Sequence, residues 1–137
     1  MQQMDFNLDN KVWVLVADGE KALFFENAGT RKSPDFKVVR ELNQDEPPID
    51  IASGGNSRND DWYQLAEDRF AKDAAELLYK YAHRNRFNQI VLCASPRVLG
   101  ELRKELHPEV ADKVIGEVSK TLTNHPVDQI ERILSAN

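Results

Sequence analysis

The chain has 137 residues and a formal net charge of −5, and hydrophobic residues make up 41% of it. This length is typical of one domain that buries about two thirds of its unfolded surface without a disulfide or a metal. The negative charge excludes a protein coated on all sides with nucleic-acid-binding groups. The single cysteine, Cys93, lies in an apolar run, which predicts a buried side chain and a reducing, cytoplasmic setting.

The first ten residues lack the basic and apolar regions of an export signal. No stretch of the sequence approaches the run of about 18 apolar residues that a membrane span needs. We therefore predict a flexible segment at residues 1–10, a single domain at residues 11–137, and no membrane partner.

Three short apolar runs open the domain and predict an antiparallel meander. The runs at residues 11–17 and 22–26 flank Asp18-Gly19, a dipeptide that is a strong hairpin signal. A stretch rich in turn residues follows, and residues 36–42 then form a third strand.

A long loop and a long helix follow the meander. Residues 43–60 have no periodicity, and loops of this length in a compact domain are usually functional or disordered. Apolar residues then recur every three or four positions and predict a helix from Asp60 or Asp61 to about Arg86. Residues 90–94 are apolar and partly β-branched, as in a central strand that is buried on both faces.

The turn after this central strand is a candidate anion-binding site. Ser95 is placed to cap a helix that begins at Pro96, a position where a missing N–H is harmless. Ligands of open α/β sheets tend to lie beyond the carboxyl ends of parallel strands, where a helix start offers free N–H groups. Ser95 and Arg97 would line that site. An ordinary capped turn without a ligand is the alternative.

The rest of the chain completes an alternation of strands and helices. Residues 108–112 predict a helical turn, residues 113–118 a fifth strand, and residues 126–135 a final helix. The predicted fold is a single α/β domain with a five-stranded mixed sheet in the order 3-2-1-4-5. This is the ribonuclease H-like topology, with helices on both faces of the sheet.

Charge is distributed unevenly along the chain. Residues 80–104 hold six basic residues and one acidic residue and so carry +5, whereas residues 105–137 carry −3. The candidate members of a basic, RNA-binding face are Arg84, Arg86, Arg97, Arg103 and Lys104. A solvated helix surface with mixed charges is the alternative.

Several familiar catalytic motifs are absent from the sequence. The three histidines have no metal-ligand spacing and no second cysteine to assist them, so no metal or cofactor is predicted. There is no phosphate-binding loop, dinucleotide fingerprint or nucleophile elbow. A two-metal nuclease would need several converging carboxylates, and a hairpin turn accounts for Asp18 and Glu20 at the end of the first strand.

Three motifs together resemble a bacterial family described as proteins required for attachment to host cells. They are Ile-Val-Leu-Cys-Ala-Ser-Pro at residues 90–96, Leu-Gly-Glu-Leu-Arg-Lys-Glu-Leu at residues 99–106 and Lys-Thr-Leu-Thr-Asn-His-Pro at residues 120–126. The resemblance covers residues 11–134. That family is similar in turn to the middle domain of archaeal and eukaryotic peptide-chain release factors, which implies the same ribonuclease H-like topology.

The resemblance also implies a functional loop. In those release factors a Gly-Gly-Gln loop before the long helix enters the peptidyl-transferase centre and positions water on the peptidyl-tRNA ester. Gly54 and Gly55 stand at the corresponding place, and Asn56 stands where the glutamine would be. Asn is one methylene shorter than Gln, so the amide would be displaced by about an ångström, which counts against a positioned reaction.

Three functional hypotheses follow. The favoured one is a non-enzymatic cytoplasmic module that binds the ribosome or structured RNA. The resemblance implies further binding candidates at Lys120, Thr123 and His125, for which helix capping and a surface lysine are the alternative. A hydrolase of peptidyl-tRNA-like esters acting through the Gly-Gly-Asn loop, and a protein-interaction module without nucleic acid, are the other two hypotheses.

Overall fold

Five strands form one mixed sheet in the order β3-β2-β1-β4-β5. The strands are β1 (Trp13–Ala17), β2 (Lys21–Asn27), β3 (Phe36–Asn43), β4 (Ile90–Cys93) and β5 (Val114–Val118). The pairs β1/β2 and β2/β3 are antiparallel, and the pairs β1/β4 and β4/β5 are parallel. The predicted fold class, strand order and antiparallel opening are therefore confirmed. The computed structural model describes residues 6–44 and 59–135, and it describes side chains from residue 65 onwards in the second range.

Helices cover both faces of this sheet. They are α1 (Asn59–His83), α2 (Pro96–Glu105), α3 (Pro108–Ala111) and α4 (Val127–Ser135). The helices α1 and α2 contribute to the core on one face, and α4 contributes to the core on the other. The parallel strands β4 and β5 are each followed by a helix, which is the expected arrangement of a β/α unit.

The central strands β1 and β4 are buried on both faces. Along β1, Leu15 faces the core beneath α1 and α2, whereas Val14 and Val16 face the core beneath α4. On that second face Ile130 and Leu134 of α4 are fully buried. Burying each such side chain contributes about 1.5–3 kcal/mol. Because both faces of β1 and β4 are buried in this way, the sequences of these strands are continuous apolar runs.

The turn between β1 and β2 is held by the Asp18 carboxylate. Its Oδ1 accepts hydrogen bonds from the backbone N–H groups of Glu20 and Lys21, each at 2.7 Å. Gly19 does not have a positive φ, unlike the glycine of the mirror-image turns favoured by this dipeptide. A Cβ at Gly19 would lie 2.6 Å from the Glu67 side chain of α1, so a larger residue at this position would require that side chain to move.

The helix α1 ends three residues before the predicted Arg86 because Asn85 adopts a left-handed conformation, with φ of 58°. The N–H of Arg86 donates to the carbonyl of Tyr81 at 2.9 Å, and the N–H of Asn85 donates to the carbonyl of Ala82 at 2.9 Å. These two bonds form a Schellman motif, which satisfies carbonyls at the helix end. Asn adopts this conformation more readily than most residues, which is why the helix stops here.

The chain before β1 contributes to the second core. Phe6 and Leu8 are buried there, and a Cβ on Gly116 of β5 would overlap the Phe6 ring. Residues 6–10 thus belong to the packed structure, and residues 1–5 lie outside the described residues. The division of the chain into segments 1–10 and 11–137 stays a prediction.

Two glycine substitutions should have opposite effects on stability. We expect Gly116→Ala to lower the free energy of unfolding by about 1–3 kcal/mol, because the new methyl group overlaps Phe6 in a packed core. The matched control is Gly100→Ala in α2, where nothing lies within 4 Å of the added carbon. That variant should gain up to about 1 kcal/mol of helix propensity. Urea denaturation measures both, and equal stabilities would contradict the packing described.

Candidate functional site

Ser95 caps α2 as predicted. Its backbone is extended, with φ of −62° and ψ of 160°, and its Oγ accepts a hydrogen bond from the N–H of Val98 at 3.3 Å. Pro96 occupies the start of the helix. The Ser95 hydroxyl oxygen therefore already accepts one hydrogen bond within the protein. A ligand could still donate a second hydrogen bond to this oxygen or accept one from the hydroxyl proton.

Arg97 joins α2 to α1. Its guanidinium forms an ion pair with Glu67 and a second one with Asp68, at 3.1 Å from Nη2 to Oδ1. Both carboxylates are partly exposed, and pairs of this kind contribute at most about 1 kcal/mol each. An anion at Ser95 would have to compete with these two carboxylates for the guanidinium.

A buried polar link connects the end of β1 to the segment after β5. Thr123 is 4% exposed, and its Oγ1 donates a hydrogen bond of 2.6 Å to Oδ2 of Asp18. With the two N–H groups of the hairpin turn, the carboxylate accepts three hydrogen bonds. The sequence singled out Thr123 but assigned Asp18 to the turn alone, because the two residues are 105 positions apart.

Lys120 and His125 flank this link. Lys120 is exposed, and its carbonyl oxygen accepts a hydrogen bond of 3.4 Å from the Cys93 thiol. The Nδ1 of His125 is buried and has no hydrogen-bond partner among the described residues. Both residues follow β5, and Ser95 follows β4, so the parallel topology places them at the carboxyl edge of the sheet, where the sequence predicted them.

The Cys93 side chain is buried, as predicted. Burial raises the pKa of its thiol to about 12, and the positive charge of Lys120 opposes part of this shift. The group is therefore a protonated, unreactive thiol at neutral pH.

The predicted basic face divides into two groups. Three members form ion pairs with nearby carboxylates. Arg97 pairs with Glu67 and Asp68 of α1, and Arg103 pairs with Glu117. Lys104 pairs with Glu101, at 3.0 Å from Nζ to Oε2. Hydrogen bonds to these carboxylates raise the pKa of Arg103 and the pKa of Lys104. Arg84 and Arg86 are exposed and form no ion pair with the side chains of residues 6–44 and 65–135. They precede β4, so they lie at the amino edge of the sheet, opposite Ser95.

Gly54, Gly55 and Asn56 lie outside the described residues. The last described residue before them, Gln44, donates hydrogen bonds to the carbonyls of Glu20, at 2.8 Å from its backbone N, and of Gly19, at 3.0 Å from its side chain. Gln44 is therefore bonded to the turn that carries Asp18.

Two features of the described part of the chain bear on other functions. Among the side chains of residues 6–44 and 65–135, no group of three or more His, Cys, Asp or Glu is arranged to hold a metal ion. None of the helices in those ranges combines the length and apolarity needed to cross a membrane.

The chain belongs to the family described as bacterial archaeo-eukaryotic release factor family 12, whose model matches residues 11–134. A curated relative from Rickettsia prowazekii (strain Madrid E), the uncharacterized protein RP470, is 31% identical over 71 residues. That match covers 47% of this chain and 47% of the relative, so the chain matches about half the length of that protein.

Two solved structures share part of the architecture. The archaeal translation termination factor aRF1 is 11% identical, with a TM-score of 0.45, over 75% of this chain and 27% of that one. Dom34 of S. cerevisiae, a translation termination-like factor involved in RNA quality control pathways and interacting with Hbs1, is 13% identical. Its TM-score is 0.46, and the match covers 95% of this chain and 34% of Dom34.

Removing the Thr123 hydroxyl should destabilise the protein. Thr123→Val keeps the shape of the side chain and leaves one Asp18 oxygen without its donor, so we expect a loss of about 1–3 kcal/mol in the free energy of unfolding. Thr121→Val, at an exposed neighbouring position, should change stability by less than about 0.5 kcal/mol. Urea denaturation compares the two variants. If Thr123→Val left the free energy of unfolding unchanged, the hydrogen bond between Thr123 and Asp18 would not contribute to stability.

Cys93 should resist thiol reagents until the protein unfolds. The folded thiol has a pKa of about 12, and an unfolded one has a pKa of about 8.5. The unfolded state therefore loses its proton first, and the free energy of unfolding should fall as pH rises from about 8.5 towards 12. At pH 8 a disulfide reagent should label Cys93 fully in denaturant and only slowly in buffer. Equal rates would contradict the described burial.

Proposed function

We propose that this protein is a cytoplasmic, translation-related binding module that binds structured RNA, with a ribosomal surface as its target. Membership in a release factor family supports the connection to translation. One observation supports RNA binding in particular. Arg84 and Arg86 are exposed at the amino edge of the sheet and form no ion pair with any described side chain.

The two arginines suit contacts with phosphate. Each guanidinium offers a planar set of donors that matches a phosphate group, and neither must first leave a carboxylate of the described structure. Arg86 lies over the Tyr81 ring, with 5.6 Å from Cζ to the ring centroid, which restrains it without neutralising it. Arg97, Arg103 and Lys104 are weaker candidates because each would first have to leave a carboxylate partner.

The carboxyl edge would then serve a second role. Ser95, Lys120, Thr123 and His125 lie at the carboxyl edge of the sheet. Gln44, the last described residue before the stretch that contains Gly54, Gly55 and Asn56, is bonded to the same edge, and this favours ester hydrolysis as the alternative function. Peptidyl-tRNA cleavage that persists after deletion of residues 53–57 would exclude that alternative. Under the main proposal, any role in attachment to host cells follows indirectly from RNA binding.

Charge reversal at the amino edge should weaken ribosome binding. We expect the wild-type protein to co-sediment with ribosomes at low salt and to dissociate as salt rises, because phosphate contacts release counterions. Arg84→Glu/Arg86→Glu should weaken binding and reduce the slope of log K against log salt by roughly 2.

The matched control is Lys72→Glu/Arg132→Glu, which makes the same change in charge at exposed positions of α1 and α4. It should retain most of the binding. Loss of binding in both variants would indicate a nonspecific charge effect. Absence of binding by the wild type at low salt would contradict the proposal and favour a protein partner.

A further inference from the structure

A polar groove opens at the amino edge of the sheet. It has a volume of about 430 Å³, which is within the usual range of small-ligand sites. Three separate parts of the chain line it: the start of β1, the end of β2 and the connection from α1 to β4. The lining residues are Asn10, Lys11, Val12, Glu26, Asn85, Arg86, Phe87, Asn88 and Gln89.

Charged groups of both signs line the groove without neutralising one another. Lys11 and Arg86 are exposed, Glu26 is half-buried, and none of the three forms an ion pair within the described ranges. Among the described residues, no group donates a hydrogen bond to the Glu26 carboxylate. The carboxylate is therefore available to accept one from a ligand.

The backbone around the groove is unusual as well. Lys11 and Asn85 are the non-glycine residues with positive φ in the described part of the chain, at 76° and 58°. The helix end accounts for Asn85, but lysine adopts this conformation at a cost of roughly 1–2 kcal/mol. Strained residues of this kind cluster at ligand sites, where surrounding structure holds them in place. Here the bond from the N–H of Lys11 to the carbonyl of Asn27, at 2.7 Å, fixes the strained turn.

The wall of the groove is rigid. Trp13 pairs with Glu26 across the β1/β2 ladder, and its ring stacks on Phe87 with 4.9 Å between centroids. The N–H of Trp13 donates to the carbonyl of Gln89 at 2.9 Å, which ties the α1–β4 connection to β1. The charged and amide side chains of the groove therefore stand on a fixed frame, which lowers the entropy lost on binding.

We propose that this groove binds one nucleotide of an RNA chain, whose base carries an exocyclic amino group. The proposal rests on the RNA-binding function and gives it a specific contact. Lys11 and Arg86 bind the phosphate, and the Glu26 carboxylate accepts a hydrogen bond from the amino group, as acidic side chains do with N4 of cytosine. The amides of Asn88 and Gln89 are available to the sugar hydroxyls and the remaining base edge.

Cytidine and uridine 5′-monophosphate are the probes that test this assignment, because they differ at position 4, where one has an amino group and the other a carbonyl. In a titration followed by amide NMR, both nucleotides should shift the signals of Lys11 and residues 85–89. The cytidine nucleotide should bind about tenfold more tightly, since one hydrogen bond to a charged acceptor corresponds to about that factor.

Variants separate the two halves of the site. Glu26→Gln should bring the ratio of the two affinities close to one, whereas Lys11→Gln/Arg86→Gln should weaken both nucleotides and keep the ratio. Glu41→Gln on β3 is the matched control, since Glu41 is exposed and far from the groove lining, and it should change neither quantity.

The outcomes distinguish this inference from the proposed function. If ribosomes bind but neither nucleotide perturbs the groove, or the two nucleotides bind equally, the nucleotide assignment is wrong and the RNA-binding function stands. If the nucleotides bind as expected but ribosomes and structured RNA do not, the RNA-binding function is wrong, and so is the placement of this nucleotide within an RNA chain.

Discussion

The burial of β1 and β4 on both faces is the constraint on which the rest of the structure depends. Leu15 is enclosed beneath α1 and α2, and Val14 is enclosed beneath α4, so neither face of these two strands presents a polar group to solvent. The polar groups that the central strands position therefore lie beyond their ends. The carboxyl edge holds Ser95 and the Asp18–Thr123 link, and the amino edge holds Arg84, Arg86 and the groove.

The fold changes the meaning of the local charge. Residues 80–104 carry +5 in the sequence, but the fold brings acidic residues from other segments against two of the arginines. Glu67 and Asp68 pair with Arg97, and Glu117 pairs with Arg103. These ion pairs link α2 to α1 and β5. Positive charge available to an external partner remains at the amino edge. A basic stretch in a sequence thus overstates the basic surface of the folded protein, because acidic residues from distant segments neutralise part of it.

Local signals predicted most of the fold. Three antiparallel strands followed by two strands alternating with helices predicted the sheet order of the ribonuclease H-like topology, and Ser95 followed by Pro96 located the start of α2. Features formed by distant residues escaped prediction. The Asp18–Thr123 bond, the Arg97 ion pairs and the groove each join segments far apart in sequence, and periodicity carries no signal for such contacts. The end of α1 was misplaced because one left-handed Asn decided it.

The position of α4 in the chain has a consequence for synthesis. Ile130 and Leu134 cover the face formed by Val14, Val16 and Val91, and α4 follows all five strands. On the ribosome, the first core can assemble once Val110 of α3 has emerged, whereas the second face stays uncovered until α4 follows. During that interval the nascent sheet exposes an apolar surface, which is the period when a chaperone or a neighbouring chain can bind it.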